Sequence, residues 1–252
     1  QINLEPVREL ARLGQQGILF GIASGRPVED SLRMCGKWGL PEQPDVMIGY
    51  NGSELWLRDG NRSFQYHLLS TDVLRDVVER MAELFPFANP QTYIPGTLLV
   101  GFEDDKYLGS AQRAGRMPRI AEDLSEFYAA DNPKIMYRVP EDRMDEVEAY
   151  WSEHPSDRFS TLRTQPTMFE FCHPSAGKGY ALLRWCEMTG TDPEQVMAFG
   201  DDQNDLSMIE VCVGVAVANA IQPVKDTARY VCELDHDHDA VADFVERHVL
   251  AG

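Results

Sequence analysis

The sequence predicts an α/β protein with a second block of α+β character set into it. Three observations carry this reading. Short apolar strands alternate with amphipathic helices up to about residue 70, and the alternation resumes after residue 173. Between them, residues 71–172 change to longer amphipathic helices and strand-like runs, the pattern of helices over an antiparallel sheet. Two polar clusters, Ser24-Gly25-Arg26-Pro27 and Gly200-Asp201-Asp202-Gln203-Asn204-Asp205, each follow an apolar run directly. That is the carboxyl end of a parallel strand, where open α/β sheets place their ligands. The predicted domains are therefore 1–70 with 173–252, and 71–172.

In chain order, Leu4, Val7, Leu10, Ala11 and Leu13 form one face of a short helix, with Pro6 in its first turn. Ile18 to Ala23 reads as a strand buried on both sides. Pro27 suits the first position of the next helix, whose apolar residues are Val28, Leu32, Cys35 and Trp38. Val46 to Gly49 is a further short strand, and Glu54 to Leu57 with Ser63 to His67 predict a hairpin around Asp59-Gly60.

The middle block opens with a helix carrying Val73, Val77, Val78, Met81 and Leu84, followed by a strand from Leu98 to Phe102. A polar connection from Glu103 to Pro118 leads to a strand at Ile135 to Val139 and a helix at Arg143 to Trp151. Two more strands follow, Arg158 to Arg163 and Thr167 to Cys172. Gly177-Lys178-Gly179 then opens a helix with Leu182, Leu183, Trp185, Cys186 and Met188 on its apolar side, capped by Gly190. After the strand at Val196 to Phe199 come a strand at Val213 to Val217, a helix carrying Val224 and Lys225, and a short strand at Tyr230 to Cys232. A closing helix bears Val241, Phe244, Val245 and Val249.

Composition excludes several classes. Hydrophobic residues make up 43% and charged residues 25% of 252, an ordinary globular balance. A net charge of −18 argues against nucleic acid or an anionic membrane as partner. No apolar run reaches the ~20 residues of a membrane span, and no signal peptide opens the chain. The five cysteines are scattered without a C-x-x-C pair, which predicts buried reduced thiols and a cytoplasmic protein.

Three carboxylates and two amides gathered within Gly200 to Asp205 offer hard oxygen ligands suited to Mg²⁺, which takes one or two carboxylates and fills its remaining positions with water or phosphate. The same residues would also serve as an acidic turn capping a helix. Ser24 and nearby N–H groups lie at a strand-to-helix junction, a ready anion site, although a plain serine N-cap would equally account for the residue. Asn51-Gly52 is a common turn pair. Asp235-His236-Asp237-His238-Asp239 alternates potential metal ligands, but alternating residues in a loop do not converge unless the backbone folds them together, so a solvated loop is the expectation there.

The ordered set of strand–Ser24-Gly25-Arg26-Pro27, Gly177-Lys178-Gly179 and strand–Gly200-Asp201-Asp202-Gln203-Asn204-Asp205, with Asn51-Gly52 and Ala218-Asn219-Ala220, resembles the haloacid dehalogenase-like phosphohydrolases, in their Cof-type branch with a large α/β cap. The resemblance spans the chain. It implies a Rossmann-like core with a parallel sheet and an inserted α+β cap, Mg²⁺ dependence, and transfer of a phosphoryl group from a small phosphorylated metabolite through an aspartyl-phosphate. Carried over by position, Ser24 would hydrogen-bond the phosphoryl group and Lys178 would neutralise it and the nucleophile. Asp201 would ligate Mg²⁺, Asp205 would ligate it or orient its waters, and Asn204 would hold phosphate or a water. Gly25, Arg26, Asn51 and Gly52 complete the implied substrate-binding set. The resemblance leaves substrate choice to the cap, where Lys106, Arg113, Arg116, Lys134, Tyr93 and Tyr107 are the candidates.

One element of the family pattern has no match. The motif D-x-D-G-T, which supplies nucleophile and general acid/base, occurs nowhere in the 252 residues. Ile2 to Ala23 correspond to the helix and strand that follow it, and the first residue is Gln1 rather than Met, so the nucleophile is expected upstream. On that expectation the strands at Ile18 and Val196 are not hydrogen-bonded neighbours. A phosphosugar mutase of the same superfamily is the nearest alternative, and a catalytically inactive phosphate-binding protein is the alternative of another class.

Overall fold

The computed structural model describes Leu13 and residues 17–37, 44–104 and 117–250. The helix expected at Leu4 to Leu13 falls outside the described residues except for Leu13, as do Trp38, Lys106, Tyr107, Arg113 and Arg116. The chain divides into two compact units, Gln1–Gln65 with Gly177–Gly252, and Tyr66–Ala176.

In the first unit, β1 (Gly21–Ala23) pairs in parallel with β2 (Val46–Gly49), in the register Gly21↔Val46 to Ala23↔Ile48. The predicted hairpin forms as β3 (Glu54–Leu57), antiparallel to β2, and β4 (Arg62–Gln65), antiparallel to β3. A separate, all-parallel sheet has the order β11 (Met197–Gly200), β12 (Val213–Ala216), β13 (Tyr230–Val231). Among the described residues β1 and β11 each stand at the edge of their own sheet and do not pair, as the sequence reading expects. The expectation that Ile18 to Ala23 is buried on both sides is not met. Leu19 is 58% exposed and β1 is only partly covered, because it pairs on one side alone.

Helix α1 (Val28–Lys37) covers β2 and β3 through Val28, Leu32, Met47 and Trp56. Against the parallel sheet, α5 (Leu206–Val211), α6 (Gln222–Thr227) and α7 (Ala240–Val245) bring Ile209, Val224, Ala240 and Phe244 onto Val215, Ala216 and Val217. Each Val, Ile or Phe side chain among them contributes ~1.5–3 kcal/mol on burial. β12, covered by these helices, reads as a continuous apolar run without a hydrophilic face, whereas both residues of β13 are exposed. All five cysteines are buried and free, as the sequence predicts.

The second unit is a six-stranded sheet in the order β7 (Pro118–Ile120), β6 (Thr97–Val100), β5 (Asn89–Ile94), β8 (Lys134–Arg138), β10 (Met168–Cys172), β9 (Ser160–Gln165). It is antiparallel apart from the β6–β7 pair. Alternate residues Ile135, Tyr137, Phe169 and Phe171 pack under α2 (Thr71–Leu84) and α3 (Met144–Glu153), meeting Leu74, Val77, Met81, Met144, Val147 and Trp151. Strand β5 is absent from the sequence reading, because Asn89-Pro90-Gln91 looks like a loop. Its position in the sheet is secured instead by Asn89, whose Oδ1 accepts the N–H groups of Gly101 and Phe102.

Lys134, one of the candidates for substrate choice, is 3% exposed. Its Nζ lies 2.8 Å from Glu170 Oε2, and Thr164 donates to Glu170 Oε1 at 3.0 Å. Burial pulls the lysine pKa down, but Glu170, with Tyr93 and Cys172, outweighs it and the net shift is upward. The pair sits on β8 and β10 with its hydrogen bonds made, the condition under which a buried ion pair is tolerated.

Helix α4 (Lys178–Thr189) returns the chain to the first unit and ends at Gly190 in the left-handed conformation (φ 69°). Its second residue lets two backbones touch, since a Cβ on Gly179 would lie 2.0 Å from the carbonyl oxygen of Ser207. Gly179→Ala should therefore lower stability by at least ~2 kcal/mol, as overpacking against backbone does. By contrast, Gly36 in α1 is exposed, and a methyl group added there would have no neighbour within 4 Å. Gly36→Ala should raise stability by ~0.5–1 kcal/mol. Thermal melts of the two variants should move in opposite directions, and a shared direction would contradict this account of α4.

Candidate active site

The loop after β11 divides its three carboxylates among three tasks. Asp202 caps the helical turn that follows, accepting the Gln203 N–H at 2.7 Å. Asp205 faces back into the loop, and its Oδ2 accepts the N–H groups of Asp201 at 3.0 Å and Asp202 at 3.3 Å, a reciprocal capping box. Its Oδ1 lies 2.6 Å from Lys178 Nζ. Gly200 is required beneath it, because a Cβ there would lie 2.5 Å from Asp205 Cβ. Asp201 caps nothing within the loop and keeps its carboxylate turned outward, with 43% of the side chain exposed. The capping reading and the binding reading of this cluster thus both hold, for different residues.

Lys178 and Asp205 are each 5% exposed. Breaking such a pair by removing one partner costs ~3–5 kcal/mol, because a buried charge is left uncompensated. The pair ties the start of α4 to the loop after β11. Gly179 N–H strengthens the junction by donating to Ser207 Oγ at 3.1 Å.

A second tie joins the loop after β1 to the turn after β2. Asn51 N–H donates to the Ser24 carbonyl at 3.1 Å, and Tyr50 N–H to the Arg26 carbonyl at 2.9 Å. Tyr50, Asn51 and Gly52 all have positive φ (50°, 56° and 105°), an arrangement that costs energy at Tyr50, is tolerated by Asn and is natural for Gly. Strain of this kind concentrates at functional sites. Gly52 also makes room, since a Cβ would lie 2.0 Å from the Gly177 carbonyl oxygen. The turn is thereby pressed against the residue preceding Lys178.

Asn51 links the two halves. Its Oδ1 accepts from Asn204 Nδ2 at 3.1 Å, while its own Nδ2 is buried and meets no partner among the described residues. An unsatisfied buried donor costs ~1–3 kcal/mol, so the position suits an acceptor brought by a ligand. A Cβ on Gly25 would lie 3.0 Å from Asn51 Oδ1, which explains the glycine there. Ser24 does not cap α1. Glu54 does, with Oε2 accepting the Val28 N–H at 2.9 Å. The Ser24 oxygen accepts the Arg26 N–H at 3.1 Å, so its own O–H is left to donate elsewhere. Arg26 itself is exposed.

The sequence reading misses two residues. His236 Nδ1 lies 3.1 Å from Asp201 Oδ2, and Asn219 Oδ1 accepts the His236 N–H at 3.1 Å. The expected solvated loop at Asp235 to Asp239 therefore reaches the site through its second residue. The signal was the alternating run itself, together with Ala218-Asn219-Ala220. Only the fold shows that they meet. A thiol nucleophile finds no support, because burial, with Glu170 adding to it, pushes Cys172 up to about 12, and burial takes Cys212 to about 11.

Over residues 1–245 the chain matches the family model described as haloacid dehalogenase-like hydrolase. YxeH of Bacillus subtilis strain 168, named as a phosphatase without a stated substrate, is 26% identical over 98% of this chain and 92% of its own. YitU of the same organism, named as a 5-amino-6-(5-phospho-D-ribitylamino)uracil phosphatase, is 23% identical over 98% of this chain and 91% of its own. The crystal structure of a haloacid dehalogenase-like hydrolase from Bacteroides thetaiotaomicron superposes with a TM-score of 0.84 at 26% identity, over 98% of this chain and 92% of that one. With strand-borne loops, a buried lysine–aspartate pair and an outward carboxylate in this order, the chain belongs to the haloacid dehalogenase-like hydrolases.

Proposed function

We propose that this protein is a Mg²⁺-dependent phosphatase that hydrolyses a small phosphorylated metabolite. The class, a phosphoric monoester hydrolase, rests on the family and on relatives named as phosphatases. The finer reading is carried by one observation, the buried Asn51 Nδ2 that meets no partner among the described residues, between the Ser24 loop and Asn204. A phosphoryl oxygen would satisfy it.

The donor set fits the cation. Mg²⁺ prefers hard oxygen and is held through one or two carboxylates plus phosphate; Asp201 offers an outward carboxylate beside the proposed phosphoryl position. Asp205, expected as ligand or orienter, has both oxygens engaged by Lys178 and the loop N–H groups, so the orienting role is the one proposed for it. Among the described residues no group of three acidic, histidine or cysteine side chains is arranged to hold a metal. When bound, Mg²⁺ would offset the negative charge of the phosphoryl oxygens.

The chain's own residues supply the remaining stabilisation. A metaphosphate-like transition state spreads charge over three oxygens, so positioned donors and a cation account for most of the catalysis. Ser24 O–H and Asn51 Nδ2 would donate to those oxygens. Lys178 would hold its positive charge against them and against the attacking carboxylate, while Asp205 fixes its direction. That carboxylate belongs to the D-x-D-G-T motif that the resemblance implies, so activity is to be measured on the full-length gene product. Substrate choice, and the division into a core and a cap, are part of the same proposal.

Asp201→Ala should abolish Mg²⁺-dependent phosphate release while the fold survives, because its side chain takes no part in the buried pair. Wild-type Mg²⁺ affinity and turnover in that variant would end the metal assignment.

Lys178→Ala should lower turnover by several orders of magnitude and also lower the melting temperature, since Asp205 would be left buried and unpaired. The double variant Lys178→Ala/Asp205→Asn should regain stability without regaining turnover. Lys178→Arg should rescue poorly, as a planar fork does not replace a compact ammonium. Turnover within about tenfold of wild type in Lys178→Ala, a loss of ~1.4 kcal/mol, would make this lysine purely structural.

A further inference from the structure

The alternating run from Asp235 to Asp239 has no part in the mechanism so far, yet one of its residues touches the outward carboxylate. His236 sits in the loop between β13 and α7, and that loop is held on the site by two hydrogen bonds to its backbone. Ala218 N–H donates to the Leu234 carbonyl at 2.9 Å, and His236 N–H donates to Asn219 Oδ1 at 3.1 Å. The other partner is fixed from its own side. Asp201 N–H donates to Asp205, and the Asp201 carbonyl accepts the Ile221 N–H at 2.9 Å. Two anchored backbones thus bring His236 Nδ1 to 3.1 Å from Asp201 Oδ2.

The same nitrogen lies 2.9 Å from Asn219 Nδ2, and Nε2 lies 3.6 Å from Asp237 Oδ2, beyond hydrogen-bonding range. Nδ1 has one in-plane position and so cannot serve both near neighbours. As an acceptor from Asn219 it would set its lone pair against a carboxylate. As an N–H donor to Asp201 it makes a charge-assisted bond, about twice as strong as a neutral one. In that tautomer the Asn219 amide nitrogen gives up a neutral bond for the stronger charge-assisted one, while Asn219 Oδ1 still accepts the His236 N–H. The Nδ1–H tautomer directed at Asp201 is therefore favoured.

We propose that His236 is a positioning residue for Asp201: its Nδ1–H holds Oδ2, which turns Oδ1 toward the cation. The inference rests on the cation reading of Asp201 given above. It assigns His236 no contact with substrate. Hydrogen-bonded partners of metal ligands typically account for 10–100-fold in metal affinity. With 50% of the His236 side chain exposed, the lower end applies.

The test is calorimetric titration of Mg²⁺ into the full-length protein, without substrate, supported by the metal dependence of turnover. His236→Ala should raise the Mg²⁺ dissociation constant about tenfold. The Mg²⁺ concentration for half-maximal rate should rise in step, while kcat at saturating Mg²⁺ stays within about twofold. His236→Asn should restore most of the affinity, because its amide nitrogen is as many bonds from the backbone as Nδ1. His238→Ala, in the same loop but bonded to Asp235 instead, should leave Mg²⁺ affinity unchanged. Unchanged Mg²⁺ affinity in a folded His236→Ala protein would overturn the inference alone. An equal loss in His238→Ala would overturn it too, by showing a loop effect. Failure of the wild-type protein to bind Mg²⁺ would overturn the cation reading, and this inference with it.

Discussion

Two buried charges 2.6 Å apart, on Lys178 and Asp205, constrain the rest of the site. Each compensates the other's buried charge, the condition under which such a pair is tolerated. The pair also decides backbone paths. Asp205 can reach Lys178 only if Gly200 lacks a side chain beneath it, and α4 can bring Lys178 close only if Gly179 lets its backbone meet Ser207. Gly52 then allows the turn after β2 to lie against Gly177. Four loops from different parts of the chain are fixed by one electrostatic bond and a few close backbone approaches.

That arrangement leaves two groups outside the loop's own hydrogen bonds. Asp201 points outward because Asp202 and Asp205 have taken the capping and pairing tasks of the loop. Asn51 Nδ2 is buried and meets no partner among the described residues, while the amide oxygen is spent on Asn204. A protein of ~5–15 kcal/mol net stability retains a cost of ~1–3 kcal/mol only where it is offset elsewhere or repaid by a ligand.

Much of the fold was legible because short apolar runs, amphipathic spacing and turn glycines each act locally. The hairpin at Glu54 to Gln65, the helix at Thr71 to Leu84 and the Gly190 cap needed no tertiary information. Strand β5 was illegible, since Pro90 and polar neighbours disguise it and Asn89 stabilises it from a distance. The burial of Lys134 was hidden for the same reason, its partner lying 36 residues away. In the site, motif order pointed to Ser24, Lys178, Asp201 and Asp205. The division of labour among three neighbouring aspartates is a matter of backbone direction, which residue spacing does not encode. His236 lies 35 residues from Asp201 in sequence, and only the parallel order β11-β12-β13 brings their loops to one end of the sheet.

The central claim is that these loops together form a single phosphoryl site, and the Asn51 amide reports on it most directly. Side-chain amide signals of the Mg²⁺-loaded full-length protein, labelled with ¹⁵N, should be followed while inorganic phosphate is added. The account predicts that the Asn51 Nδ2 protons shift downfield and become protected from exchange with water, with an affinity matching phosphate's inhibition of turnover. An Asn51 amide signal unchanged at phosphate concentrations that inhibit the enzyme would contradict it.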